Sequence, residues 1–429
     1  MSLSDTETRR ASGSVERHRW PEMPAAGEHS QRTAPSRAAF WLVAGVLCLL
    51  FFGAAAPTPL YGIYRAQLRF SATTLTAVFA IYALVLLLTL LVVGSVSDYL
   101  GRRQVILTAL LVTAGAYAVF LVAHSVGLLF AARALQGVGV GTATGALGAA
   151  LIDLQPEGSG LGPLITAAAP ALGLGAGALG TGALAQYGPA PTRLVWWLLL
   201  GVNVVAAAGI LAMPEPGNRR AGVLASLRPR VSVPRQARAT FATAVPCLIA
   251  VWALGGLYLS LGPSLAVQVT GSRDLLWGGL VVFLLTGVAA AATVAFRGVT
   301  SRTAMLAGCL VLLPGLAVTL AAIATATAAA FLVGTTVAGV GFGLALLGAN
   351  RSLIALAAPG QRAGLIAAIF IVNFLGLSIP ALIAGVAATH VGLHRTALAY
   401  CVAVAALVAV AAGSLMVRRR ALAAGQGTS

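Results

Sequence analysis

The sequence predicts an all-α membrane protein of twelve transmembrane helices, and three observations carry that prediction. First, 59% of the 429 residues are hydrophobic and only 9% are charged, whereas a soluble domain carries about 25% charge. In water such a chain would expose aggregating apolar patches, but lipid accepts apolar surface on every side of a helix. Second, the chain holds twelve apolar runs long enough to cross a bilayer, which takes about 20 residues. Third, the charges between those runs fall mostly on one side.

Residues 1–37 are polar, with Arg9, Arg10, Arg17, Arg19, Arg32 and Arg37 among Ser, Glu and Pro, and are expected to form a disordered tail. Span 1 covers 38–60. Its Ala54-Ala55-Ala56 resembles a signal-peptide cleavage site, but the polar leader is too long and many spans follow, so no cleavage is expected. Pro57 and Pro59 interrupt the helical ladder near the end of this span. Spans 2 to 6 follow at 72–94, 104–124, 127–153, 161–187 and 193–213. The polar segment 214–240 carries six Arg and forms a central loop. Spans 7 to 12 lie at 241–265, 275–296, 304–321, 326–350, 363–389 and 396–417, and 418–429 is a second tail. The chain thus divides into a first half, 38–213, and a second half, 241–417.

With the amino terminus in the cytoplasm, twenty-one Arg fall on cytoplasmic segments and five on the opposite side, while Arg133 lies inside a span. The bias predicts a multi-pass protein of a bacterial inner (plasma) membrane with both termini cytoplasmic. It also accounts for the formal charge of +17 without nucleic acid. All 27 basic residues are Arg, set in short connections where they meet lipid headgroups, not along one amphipathic face. The halves are weak repeats of one another. Gln136-Gly-Val-Gly-Val-Gly141 in span 4 matches Ala338-Gly-Val-Gly-Phe-Gly343 in span 10, and Arg103-Gln-Val-Ile-Leu matches Arg302-Thr-Ala-Met-Leu.

Two motifs carry chemistry. Gly94-Ser-Val-Ser-Asp98-Tyr-Leu-Gly101-Arg102-Arg103 sits where span 2 leaves the membrane. Gly94 permits close helix approach, Gly101 permits the turn, and Asp98, at the edge of the apolar zone, needs a cationic partner such as Arg102 or Arg103. In span 4, Arg133-Ala-Leu-Gln136-Gly137 places a cation about a third of the way into the membrane, which obliges it to face the bundle interior. The first motif resembles the signature between helices 2 and 3 of the major facilitator superfamily, and the second resembles that superfamily's helix 4 motif. Span 5, with Gly173, Gly175, Gly177, Gly180 and Gly182, resembles the glycine-rich motif of its bacterial drug:proton antiporters, except that Ala178 stands where that motif has Pro.

The resemblance implies the major facilitator fold and an antiporter of the drug-efflux branch, a secondary active transporter working by alternating access. It implies gating by Gly94, Asp98, Gly101, Arg102 and Arg103; in the outward-open state Asp98 is expected to face the start of span 11 near 360–364, with Asp153 joining the network. It further implies coupling through Arg133 and Gln136, beside carbonyls of span 1. The expected partners are a small-molecule amphipathic solute, the lipid bilayer and protons, with no nucleic acid, and the protein is expected to be a monomer.

Tyr82, Trp252, Tyr258, Asn373 and Phe374 are the candidates to line a substrate cavity, since a lipid-facing amide is costly. Apart from Asp98 and Asp153, both near span ends, no acid lies within a span. The four Cys, Cys48, Cys247, Cys309 and Cys401, form no metal-binding spacing. With no phosphate-binding loop and no hydrolase motif, no cofactor and no enzymatic activity are expected. A nutrient uptake permease, a uniporter and a non-transporting sensor on the same fold are the alternatives.

Overall fold

The computed structural model describes residues 37–216, 227, 229 and 231–426. The tail expected to be disordered lies outside them but for Arg37, as does much of the central loop. Among the described residues the chain is helical, and twelve of its helical stretches are long and apolar enough to cross a membrane.

In the first half, span 1 is α1 (Arg37–Ala55) continued by α2 (Pro57–Leu68). Span 2 is α3 (Ala72–Val93), followed by the one-turn α4 (Ser97–Leu100). Spans 3 to 6 are α5 (Arg102–Leu121), α6 (Val126–Leu154), α7 (Leu161–Tyr187) and α8 (Leu194–Ala212). In the second half, span 7 is α9 (Arg238–Ser260) with α10 (Gly262–Thr270). Spans 8 to 12 are α11 (Leu275–Ala295), α12 (Ser301–Thr325), α13 (Ala328–Ile354), α14 (Arg362–Val391) and α15 (Leu393–Gln426).

Helix starts follow local chemistry. Ser71, Ser125, Asp274 and Thr300 each accept a backbone N–H of the first turn that they precede, in α3, α6, α11 and α12. Several helices outrun their apolar stretches. α2 continues to Leu68 with Leu60, Tyr61 and Tyr64 buried along one side. The last helix continues to Gln426, through residues read from sequence as a separate tail, because Arg, Ala and Leu are strong helix formers.

The main packing contacts of the first half recur in the second. α5 on α6 is matched by α12 on α13, α3 on α6 by α11 on α13, and α1 on α7 by α9 on α14. Glycines allow the close approach. A Cβ on Gly137, Gly141 or Gly145 of α6 would lie 2.6, 2.7 or 2.5 Å from a carbonyl of Tyr82, Leu86 or Gly94. Without a hydrophobic drive between helices in lipid, such backbone-to-backbone packing is what holds the bundle.

The halves meet along α7 with α11 and along α3 with α14. The hydrogen bonds identified between them cluster at the face away from the termini. Thr58 Oγ1 donates to the Leu259 carbonyl at 2.9 Å, and Thr73 Oγ1 donates to the Gly385 carbonyl at 3.3 Å and pairs with Thr389 Oγ1 at 3.0 Å. The backbone N–H of Leu275 donates to Gln186 Oε1 at 3.0 Å. That face is therefore tied shut.

Candidate functional site

At the termini face, Gly101 stands between α4 and α5 with φ 102°, a conformation closed to other residues without strain. The turn aims Arg102 back over α4. Its Nη1 donates to Asp98 Oδ1 and, at 2.7 Å, to Ser97 Oγ, while its Nε donates to Asp153 Oδ2 at 3.3 Å. Arg102 thus joins the one-turn helix α4 to the end of α6. Its two carboxylate partners are about one-third exposed, so each pair contributes about 1 kcal/mol or less. Such a clasp can open and close at little cost.

Arg103 does not share the clasp. Its Nη1 donates to the Met213 carbonyl at the end of α8, at 3.2 Å. Next to it is a residue the sequence reading passed over. Glu215 Oε1 accepts the backbone N–H groups of Arg102 at 2.6 Å and Arg103 at 3.2 Å. A carboxylate on the first N–H groups of a helix satisfies orphan donors and complements the helix dipole. The available signal was a lone acid directly after span 6, in a segment otherwise basic. No bond from Asp98 to the start of α14 is identified in this conformation, where the Gly364 carbonyl instead accepts from the Ser232 N–H at 3.2 Å.

Deeper in the first half, Arg133 is 1% exposed. Its Nη1 donates to the Ala54 carbonyl at 2.9 Å and to Gln136 Oε1 at 2.5 Å, and its guanidinium lies 4.1 Å from the centre of the Tyr82 ring. Gln136 Nε2 donates to the Gly53 carbonyl at 2.7 Å. The sequence explains why that carbonyl is free. Pro57 has no N–H, so the carbonyl four residues back, at Gly53, loses its helical partner. The bend of span 1 and the buried amide of span 4 are thus one device. No carboxylate neutralises Arg133 among its hydrogen-bond partners, and its Nε is unpaired. Carbonyl dipoles and a ring face carry the charge instead.

In the second half, Trp252 of α9 stacks on Phe374 of α14 at 6.2 Å and meets Phe342 of α13 edge-on at 6.0 Å, while Phe370 extends the stack. A Cβ on Gly376 would lie 3.7 Å from Trp252 Cβ, and Asn373 lies one turn earlier on the same helix, next in sequence to Phe374. Trp252 Nε1 and Asn373 Oδ1 are both buried and unpaired. A buried donor and a buried acceptor thus go unused at an aromatic cluster of α9, α13 and α14. Phe342 and Phe370 were absent from the sequence reading. Phe342 lies within the repeated glycine motif, and Phe370 lies one helical turn before Phe374.

The remaining candidates sit elsewhere. Tyr82 supports Arg133. Tyr258 is bonded to Thr335 through its hydroxyl at 2.7 Å and stacks on Phe331. The thiols of Cys247 and Cys309 lie 3.7 Å apart, and no group of three or more metal-ligating side chains occurs among the described residues.

Comparison with known proteins places this geometry. The family model described as Major Facilitator Superfamily matches residues 42–379. Comparison with curated protein sequences finds no match. Among solved structures, the human organic anion transporter MFSD10 (TETRAN) aligns with TM-score 0.63 at 19% identity, covering 89% of this chain and 99% of that one. The nucleoside transporter NupG aligns with TM-score 0.66 at 11% identity and the same coverage. Twelve spans in two like halves, the clasp between spans 2 and 3 and the match over 42–379 give one conclusion: the chain belongs to the Major Facilitator Superfamily.

Proposed function

We propose that this membrane transporter is a secondary active carrier that moves a small amphipathic solute out of a bacterial cell by proton-coupled alternating access. The observation that carries the reading is the one-sided closure: hydrogen bonds join the halves at the face away from the termini. With both termini in the cytoplasm, as the arginine bias favours, this is the inward-facing state. The solute would enter from the cytoplasm and rest against Trp252, Asn373 and Phe374. The Arg102 clasp, with Asp98 and Asp153, would hold α4, α5 and α6 as one body while the halves rock. Among the described residues Arg133 is the only charge so deeply buried, and with no acid beside it the interior disfavours an organic cation.

The test is solute flux in proteoliposomes with and without an imposed pH gradient. Transport of a neutral or weakly anionic aromatic amphiphile, faster with the gradient, is the expected result. Flux indifferent to the gradient removes proton coupling and leaves a uniporter. Selective uptake of a small sugar removes the efflux reading. A periplasm-active reporter fused after Arg420 should be silent, and activity there would reverse the assigned orientation.

A further inference from the structure

We propose that the second half carries a headgroup site for an anionic phospholipid, formed by Arg297, Arg302 and Arg351 at the termini face. Under the repeat that pairs Arg103 with Arg302, the counterpart of Asp98 is Arg297 and the counterpart of Arg102 is Ser301. The second copy of the loop has therefore exchanged its acid for a base. After residue 240 the sequence contains a single acid, Asp274, which caps α11 at the opposite face. The clasp that ties the first-half loop to α6 has no carboxylate available in the second half.

What the second half has instead is a gathered set of cations. Arg351, near the end of α13, donates through Nη1 to the Arg297 carbonyl at 2.7 Å, so the loop already touches that helix. Arg302 projects from the first turn of α12, and both Arg297 and Arg302 are exposed. No hydrogen bond or ion pair engages either guanidinium among the described residues. The flanking Val294, Phe296 and Ile354 are exposed apolar side chains, which sets the cluster at the depth where acyl chains give way to headgroups. A phosphodiester there accepts several N–H donors at once from planar guanidinium forks. The lipid phosphate would bridge the loop to α13, in the role that Asp98 and Asp153 fill for α4 and α6.

Native mass spectrometry of the full-length protein, offered phosphatidylglycerol and phosphatidylcholine in equal amounts, tests this. The wild type should retain phosphatidylglycerol preferentially. Each arginine near an anionic lipid strengthens binding roughly fivefold, so R297Q/R302Q/R351Q should lower the preference on the order of a hundredfold. Arg302→Gln alone should lower it roughly fivefold, and because that guanidinium makes no internal bond, folding is not at stake. R235Q/R238Q, at the start of span 7, should keep the preference. Equal retention of the two lipids by the wild type overturns the site, as does unchanged retention in R302Q. An equal loss in R235Q/R238Q would reduce the effect to general surface charge. Displacement of the lipid by millimolar inorganic phosphate would make the ligand a free anion.

Discussion

Spans 4 and 10 occupy equivalent places in the two halves, and they solve the same joint differently. Under the match of Gln136–Gly141 with Ala338–Gly343, the counterpart of Arg133 is Thr335. α6 fastens to span 1 through Arg133 and the Ala54 carbonyl, while α13 fastens to span 7 through Thr335 and the Tyr258 hydroxyl. Both joints lie on glycine-lined helices and both are buried. The second half shows that a neutral hydroxyl pair is enough to hold this corner of the fold. A buried cation costs several kcal/mol, so the charge in the first half is an expense the architecture does not require. We propose that its use lies in the transport cycle.

The comparison breaks most visibly at Thr335. Thr335→Arg would transfer the charge to the second half, where Phe331 and Tyr258 fill the space and the carbonyl freed by Pro263, at Leu259, already accepts from Thr58. The expected outcome is loss of folded, membrane-inserted protein, read as a collapse of monodisperse yield in detergent. Normal yield would show that this corner tolerates a cation in either half.

Arg133→Thr makes the reciprocal exchange. The protein should insert and fold, because the smaller residue copies what the second half already uses. Coupled flux should fall roughly ten- to a hundredfold, the loss of buried hydrogen bonds to a charged group. Arg133→Lys should recover only part of it, since a point charge lacks the planar fork. Full activity in R133T would make the charge incidental. Asp98→Asn comes next in size. It weakens a partly exposed ion pair, so stability should change by less than about 1 kcal/mol while the transport rate drops several-fold. An unchanged rate would remove Asp98 from gating.

How much of this was legible in the sequence depends on sequence separation. The twelve spans are written in runs of apolar residues, and their ends were misjudged most where a helix continues past its apolar stretch, as in α2. Arg133 and Gln136 are one helical turn apart, so spacing alone brings them together, while Asp98 and Arg102 are four residues apart across the turn that Gly101 permits. The freed Gly53 carbonyl follows from Pro57 by counting back four residues. The stack of Trp252 on Phe374 joins two distant helices, and no local rule selects that pair from the other aromatics. Tyr258 shows the converse: it has the composition of a cavity residue, but its partner Thr335 lies on a helix that the sequence does not place beside it.

Glu215 is the least legible residue and gives the smallest expected effect. It lies beyond the end of span 6, outside both motifs, yet it accepts the N–H groups of Arg102 and Arg103. Its carboxylate therefore holds the start of α5 from below while Asp98 and Asp153 engage the Arg102 side chain. The second half has no acid at the matching place, and Thr300 caps α12 with a hydroxyl instead. A neutral cap is thus sufficient to begin the equivalent helix, and the charge contributes only its interaction with the helix terminus, about 0.3–1 kcal/mol. Glu215→Gln should keep the hydrogen-bonding oxygen and lose that increment, lowering the melting temperature slightly and leaving flux near normal. Glu215→Ala removes the acceptor too and should lower it further. If E215Q instead slows transport as much as D98N, Glu215 belongs to the moving clasp and not to its anchor.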